Sequence, residues 1–516
     1  MVYSDVYIRM NVIKAARFLF VALFFLAAFV FLIPISVDAA TMSRPFEISG
    51  WIPYWRTATG TADALAHLDT FTEVNPFTYS MKSDGTIFDN GDTLSEPWLA
   101  LRTQAATKNI RYIPTIMWSD REAMHSLLSK QSTRVALAKS IAALVHENGF
   151  DGIDIDFENK KAETRDYFST FLKGLKMRLG EKWLMCTIES RTPLLDRYWG
   201  ATPPPDAGMY ANDLKAINQY CDRVRIMTYD QQSIDGKLRE EAHARGEVYG
   251  PVADTAWVEK SITMMSEEIS KNKLMIGVPT YGYGYDVTAY ANNEYIYDIL
   301  FTFNPGYAYP IAASLGLAPH RGSHGELYFT YLANATTTSA SATTTPSEPT
   351  PPLAGNSASA AASMIAQANN TNMSFRLLDW PDAESIRQKA ELAKKLGVRG
   401  ISIFKIDGGE DPNMWNVLAP YVVAQAPAVS FTRTLILGSR GADVRSLQVI
   451  LNSDTRTRIA VSGLGSSGNE TELFGSMTLR AVQKFQELHG IAKRGNAGFG
   501  RVGPATRATL NQLQTR

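Results

Sequence analysis

Cysteine is nearly absent: the 516-residue chain holds Cys186 and Cys221 alone. Two cysteines exclude a disulfide framework and leave room for one bridge at most. Free cysteine is usually a small buried core residue, and both are read that way. An excess of charge of either sign is also missing, with 51 Lys and Arg against 51 Asp and Glu. That balance excludes the general basic footprint of a nucleic-acid binder and any overall attraction to an acidic surface, so partners must be argued locally. What the chain does have is length and apolar content. With 45% hydrophobic residues it can fill at least one large core, and two domains with extra segments are expected.

The N-terminus carries Arg9, Lys14 and Arg17, an apolar run over 18–35, and then Ser36-Val37-Asp38-Ala39-Ala40. The basic n-region and the small residues Val37 and Ala39 predict export, with residues 1–40 as the targeting segment. The run also approaches the ~20 residues that span a bilayer, so 1–40 is either a cleaved signal or a membrane anchor. Either way the rest of the chain is expected to work as a secreted or cell-envelope protein.

From Phe46 onward, β-branched and aromatic runs alternate with amphipathic stretches, the pattern of a parallel sheet with crossover helices. Eight strands are predicted, near 47–51, 73–79, 111–117, 152–157, 184–188, 223–228, 273–278 and 400–404. The fold class is therefore α/β, a (β/α)8 TIM barrel over 46–420 with functional groups at the C-terminal strand ends. Residues 286–380 are far too long for a barrel loop and predict a small α+β insertion between strands 7 and 8, with strands near 325–331 and 374–378. Inside it, 333–372 is rich in Thr, Ser, Ala and Pro and is expected to lack regular structure. Residues 421–432 read as a linker, and 433–516 as a separate module of three helices.

The most specific segment is Asp151-Gly152-Ile153-Asp154-Ile155-Asp156-Phe157-Glu158. Alternation along a strand puts Asp154, Asp156 and Glu158 on one face, with Ile153, Ile155 and Phe157 on the other. Acids there are costly unless they serve a pocket. Side chains at i and i+2 start ~6.6 Å apart, so Asp154 and Asp156 cannot both ionise cheaply, and the pair is expected to share a proton. Glu158, the outermost, is the candidate general acid, which requires a raised pKa. Acids could also hold a hard cation, but two-residue spacing on an extended strand suits that poorly, and no metal or cofactor is expected.

The pattern D-G-x-D-x-D-x-E resembles the signature of glycoside hydrolase family 18, the chitinase-like enzymes. That family is an exception to the two-carboxylate mechanism, because the substrate's own amide performs the attack. The resemblance implies catalytic roles for Glu158, Asp156 and Asp154. Asp156 would hold the acetamido N–H of the substrate, and Asp154 would be its buried proton partner. Ile226-Met227-Thr228-Tyr229-Asp230 resembles the family's M-x-Y-D element, which adds Tyr229 and Asp230 to the catalytic set.

Aromatic rings stack on sugar faces, and Trp51, Tyr54, Trp55, Trp118, Tyr281, Tyr283 and Tyr285 follow strand ends. Trp51, Tyr281 and Trp118 are taken as substrate-binding, together with Phe404, which stands where most family members place a tryptophan. Glu189 and Arg191, just past the fifth strand, are read as a salt-bridged pair fastening a loop. Stretches such as 156–159, 229–232, 250–253 and 281–283 are similar to the spore-germination and cortex-lytic branch of the family. Residues 437–448, 474–478, 481–486 and 503–506 resemble a peptidoglycan-binding domain. The expected protein is thus an exported retaining hydrolase of β-linked N-acetylated glycan, with peptidoglycan, cut beside N-acetylglucosamine, as substrate and partner. The alternatives are a chitinase and a non-catalytic glycan-binding wall protein.

Overall fold

The computed structural model describes residues 46–332, 353–354, 357–422, 430–454, 456–460, 463–466 and 470–513. The expected signal or anchor over 1–40 lies outside the described residues, as does 333–352, the first half of the stretch expected to be unstructured. Among the described residues no helix is long and apolar enough to cross a membrane.

Eight parallel strands close into a barrel. They are β1 (Glu47–Pro53), β2 (Glu73–Met81), β3 (Thr115–Trp118), β4 (Gly152–Phe157), β5 (Trp183–Glu189), β6 (Arg223–Met227), β7 (Leu274–Pro279) and, after an insertion, a final strand Gly400–Phe404. Each pairs with its sequence neighbour, and the final strand joins β7 to β1. The strands β4 and β7 are buried along their whole length, as parallel strands under helices must be. Local signals set the entry to β4. The helix Gln131–Asn148 stops at Gly149, whose φ of 65° is the left-handed conformation that glycine tolerates best, and Phe150 then anchors the chain in the core.

The two cysteines correct the sequence reading. Cys186 in β5 and Cys221 just before β6 form a disulfide, with Cα atoms 6.0 Å apart. Both are fully buried, so burial was anticipated and the bond was not. Their separation of 35 residues carries no trace of the approach that a βαβ crossover creates.

The insertion is an antiparallel sheet built on β8 (Gly282–Tyr290), β9 (Tyr295–Phe303), β10 (Leu327–Tyr331) and β11 (Asn372–Trp380), so that the closing barrel strand Gly400–Phe404 is β12. It begins at Gly282, four residues before the expected boundary. Residues 357–369, expected to lack regular structure, form a helix against this sheet. Its buried stripe is Ala358, Ala362 and Ala366. Alanine is the best helix former, and its four-residue spacing was hidden by averaging the composition over neighbouring Thr, Ser and Pro.

Among the described residues of the C-terminal segment there are three helices, Ala442–Ser453, Ser476–Leu488 and Pro504–Leu513. Val444, Leu447 and Leu451 are buried on the first, and Ala481, Val482 and Phe485 on the second. Gln448 is buried too, donating to Thr478 Oγ1 at 3.0 Å and accepting from the Thr471 amide at 2.7 Å. At the near end of the expected linker, Tyr421 is instead buried against Phe46, its ring 5.1 Å away. Residues 423–429 lie outside the described set.

Candidate active site

The acidic row of β4 faces the barrel interior. Register decides this: Thr115 of β3 and Met185 of β5 lie beside Asp154, and Met117 and Thr187 beside Asp156. Asp154 is fully buried and heavily solvated by protein. Its Oδ2 accepts from Trp51 Nε1 at 3.0 Å and Thr115 Oγ1 at 2.9 Å, and its Oδ1 from Thr187 Oγ1 at 2.9 Å. Arg225 Nη1 lies 2.9 Å from Oδ2, and the same guanidinium pairs with Glu73. Burial pushes the Asp154 carboxyl up to about 6, with the three hydrogen bonds holding it back.

Asp156 is raised much further, by burial first and then by Glu158, Asp154 and Glu189. It shares a hydrogen bond with Glu158, and its Oδ1 is buried without a partner in the protein. Asp154 is saturated by Trp51, Thr115, Thr187 and Arg225, and the bond that Asp156 makes along the row runs outward to Glu158. Glu158 is half-buried, and its carboxyl is raised by burial and by Glu189, against the lowering influence of Lys160.

Tyr229 and Asp230 follow β6. Gly277 of β7 makes room for the tyrosine, since a Cβ there would lie 2.9 Å from the Tyr229 ring and 2.4 Å from the Ile226 carbonyl. Tyr229 stacks on Phe404 with centroids 5.6 Å apart and 16° between planes. Burial and the surrounding carboxylates raise its phenol well above the usual range, so it stays a hydrogen-bond donor. Asp230 has φ 57° and accepts from the hydroxyls of Tyr281 and Tyr283, the latter at 2.6 Å. A cavity of about 530 Å³ opens here, with Trp55, Asp230, Tyr281, Tyr283, Phe404 and Lys405 among its walls. Glu158 and Asp156 are not among those walls; Asp230 links the two, being on the wall and also acting on Glu158.

The profile of the family described as "Glycosyl hydrolases family 18" matches residues 49–409, more than half of the chain. The chain belongs to glycosyl hydrolase family 18. It carries that family's glycoside hydrolase domain on a (β/α)8 barrel. The chain is 24% identical over 237 residues to the uncharacterized glycosylase YvbX of Bacillus subtilis, covering 44% of this chain and 63% of the relative. It is 29% identical over 163 residues to the putative sporulation-specific glycosylase YdhD of the same organism, covering 31% and 34%, and 26% identical over 211 residues to chitinase A1 of Niallia circulans, covering 37% and 29%. The matches thus span less than two thirds of these relatives' lengths. The spore cortex-lytic enzyme SleL of Bacillus cereus shares the fold, with a TM-score of 0.53 at 18% identity over 73% of this chain and 74% of that one.

Within this family 18 site, the predicted residues divide. Tyr281 and Phe404 line the cavity. Trp51 is only 2% exposed and lies beneath it, its ring edge-on to Phe404 at 6.0 Å and its indole N–H spent on Asp154. Trp118 is a correction. It pairs in register with Phe157, so it points with Phe157 toward the outer helices, and their rings meet at 5.2 Å inside the main core. Met117 is the β3 residue that faces inward at that level. Glu189 and Arg191 do not form the expected pair: Glu189 accepts from Asn212 Nδ2 at 2.7 Å and from the Asn159 amide at 3.0 Å, while Arg191 lies 4.0 Å over the Tyr210 ring.

Arg225, Glu73 and Lys160 were missed. Alternation places Arg225 and Glu73 inward, and cations two apart on a strand, on the face toward an acid row, were a readable signal for Arg225. Lys160 had none, because it follows the strand and its direction is set by a turn. Among the described residues one further group brings possible metal-ligand atoms within 4.8 Å of one another: His324, Glu326 and Asp379. Lys389, fully buried, enters it 3.5 Å from Glu326 and supplies positive charge there.

Proposed function

We propose that the chain is an exported, retaining hydrolase that cleaves the β-linked N-acetylated glycan of peptidoglycan with the help of the substrate's own acetamido group. Asp156 carries this reading. Its Oδ1 is buried and unpartnered, so it is free to accept the acetamido N–H, while its bond to Glu158 keeps a proton beside the scissile position. Glu158 gives that proton to the glycosidic oxygen as the bond from C1 breaks, and the acetamido carbonyl oxygen forms a new bond to C1. Water then opens the oxazolinium ring from the face the leaving group vacated and returns its proton to Glu158, so configuration is retained. Tyr229 donates to the acetamido oxygen as charge develops there.

The Cys186–Cys221 disulfide supports export, because such bonds persist in oxidising compartments. The similarity to YdhD and the C-terminal resemblance to a peptidoglycan-binding domain favour a wall substrate, whereas the similarity to chitinase A1 favours chitin as the second reading. Purified peptidoglycan and chitin oligomers, assayed side by side, test the choice. New reducing ends from peptidoglycan, ending in N-acetylglucosamine by mass spectrometry, are expected; turnover of chitin oligomers alone would replace the first reading by the second.

A further inference from the structure

The register of β4 and β5 makes Glu158 and Glu189 neighbours. Asp156 pairs with Thr187, the last register pair of the two strands; beyond it Glu158 follows the end of β4 while Glu189 ends β5, and the amide of the residue after Glu158 donates to Glu189. Like charges side by side on adjacent strands repel. The chain answers this with the two residues that follow Glu158. Asn159 takes φ 56°, a left-handed turn, and its amide donates to Glu189 Oε1 at 3.0 Å. The turn swings Lys160 back under the strand end, where its side chain is 1% exposed and its ammonium lies 4.8 Å from the centre of the Phe168 ring and donates to the Phe157 carbonyl. That ammonium is 3.8 Å from Glu189 Oε2. A buried lysine is tolerated only beside compensating charge, and the acid row with Glu189 supplies it.

We propose that Lys160 and Glu189 are positioning residues for proton donation: Glu189, held ionised by Lys160, Asn159 and Asn212, is the charge that keeps the proton on Glu158. The inference rests on the reading of Glu158 as the acid. The groups that face Glu158 are Asp156 behind it on β4, Glu189 on β5, Asp230 after β6, and Lys160 below. Of the charged neighbours, Glu189 raises its carboxyl most and Lys160 opposes. Lys160 in turn is the leading attractive charge on Glu189, which it holds below the usual carboxylate range. The two partners therefore push Glu158 in opposite directions, and this distinguishes them from residues that merely fasten the loop.

The test is the pH profile of kcat/KM on whichever of purified peptidoglycan or chitin oligomers the full chain turns over, since the alkaline limb reports the acid of the free enzyme. Glu189→Gln, which keeps a side-chain carbonyl for the Asn159 amide, is expected to move that limb down by about one pH unit. Lys160→Met, of similar length, is expected to move it up, and Lys160→Arg to leave it near the wild type. Near-UV circular dichroism of each variant reports folding; should Lys160→Met not fold, Glu189→Gln with Lys160→Arg still decides. Limbs that coincide with wild type, or that move in the same direction for both charge removals, overturn the proposal. Glu158→Gln separates the failures. Full turnover in that variant overturns the assignment of the acid itself, whereas lost turnover with unmoved limbs overturns this inference alone.

Discussion

The indole N–H of Trp51, on the first barrel strand, donates to the carboxylate of Asp154 at 3.0 Å, from 103 positions away in the chain. The bond explains why a tryptophan at a strand end, a natural sugar platform, is instead spent inside the barrel. It anchors the base of the acid row and supports Phe404 from below. Trp51→Phe keeps most of the ring and removes the donor. A buried bond to a carboxylate contributes about 1.5–3 kcal/mol, so denaturant unfolding should show a loss of that order, and a loss below about 0.5 kcal/mol would contradict the importance given to the bond.

Asp154 also predicts a pH dependence of stability. Its carboxyl is raised by burial to about 6 in the folded chain, so the folded state binds this proton more tightly than the unfolded one. The sign follows: the group's contribution is fully present below its ordinary carboxylate value, and is lost as pH rises through about 6. The loss is about 3 kcal/mol in order of magnitude. Asp154→Asn lowers stability overall by leaving Arg225 without that partner, yet it should remove this component of the slope between about pH 4 and pH 6. Unfolding free energies across that window, compared between the two proteins, check it; parallel slopes would show that Asp154 does not titrate there.

The disulfide closes the loop between β5 and the start of β6. In the loop-entropy description a bridge of this span stabilises by about 3–4 kcal/mol. Cys186→Ser with Cys221→Ser should therefore lower the melting temperature by several degrees. The wild-type protein, denatured without reductant, should show no reactive thiol, and two reactive thiols would contradict the bond.

Two aromatic residues predicted alike should behave differently. Phe404 lines the cavity and stacks on Tyr229, so Phe404→Ala should raise KM or lower kcat/KM by about tenfold or more, in keeping with base or sugar rings stacked on aromatics. Trp118 packs against Phe157 in the core, so Trp118→Phe should cost about 1–3 kcal/mol of stability and leave KM unchanged. A raised KM for Trp118→Phe in a folded protein would return it to the substrate cleft.

Alternation and length were enough for much of this protein. Three acids two apart on an apolar strand had to share a face, eight β-rich runs separated by amphipathic stretches had to form a parallel sheet, and 152–157 and 400–404 are strands at the predicted bounds. Those properties depend only on periodicities of two and 3.6 residues, which are local. What needed the folded chain depends on which distant segments meet. Whether Trp118 faced sugar or helices followed from its register beside Phe157. The direction of Lys160 came from a left-handed turn at Asn159, the partner of Asp156 from competition among donors on four strands, and the cysteine bond from a crossover. Local pattern sets which side of a strand a residue occupies; only the closing of the barrel decides what stands opposite it, because that distance is set by strands far apart in the chain.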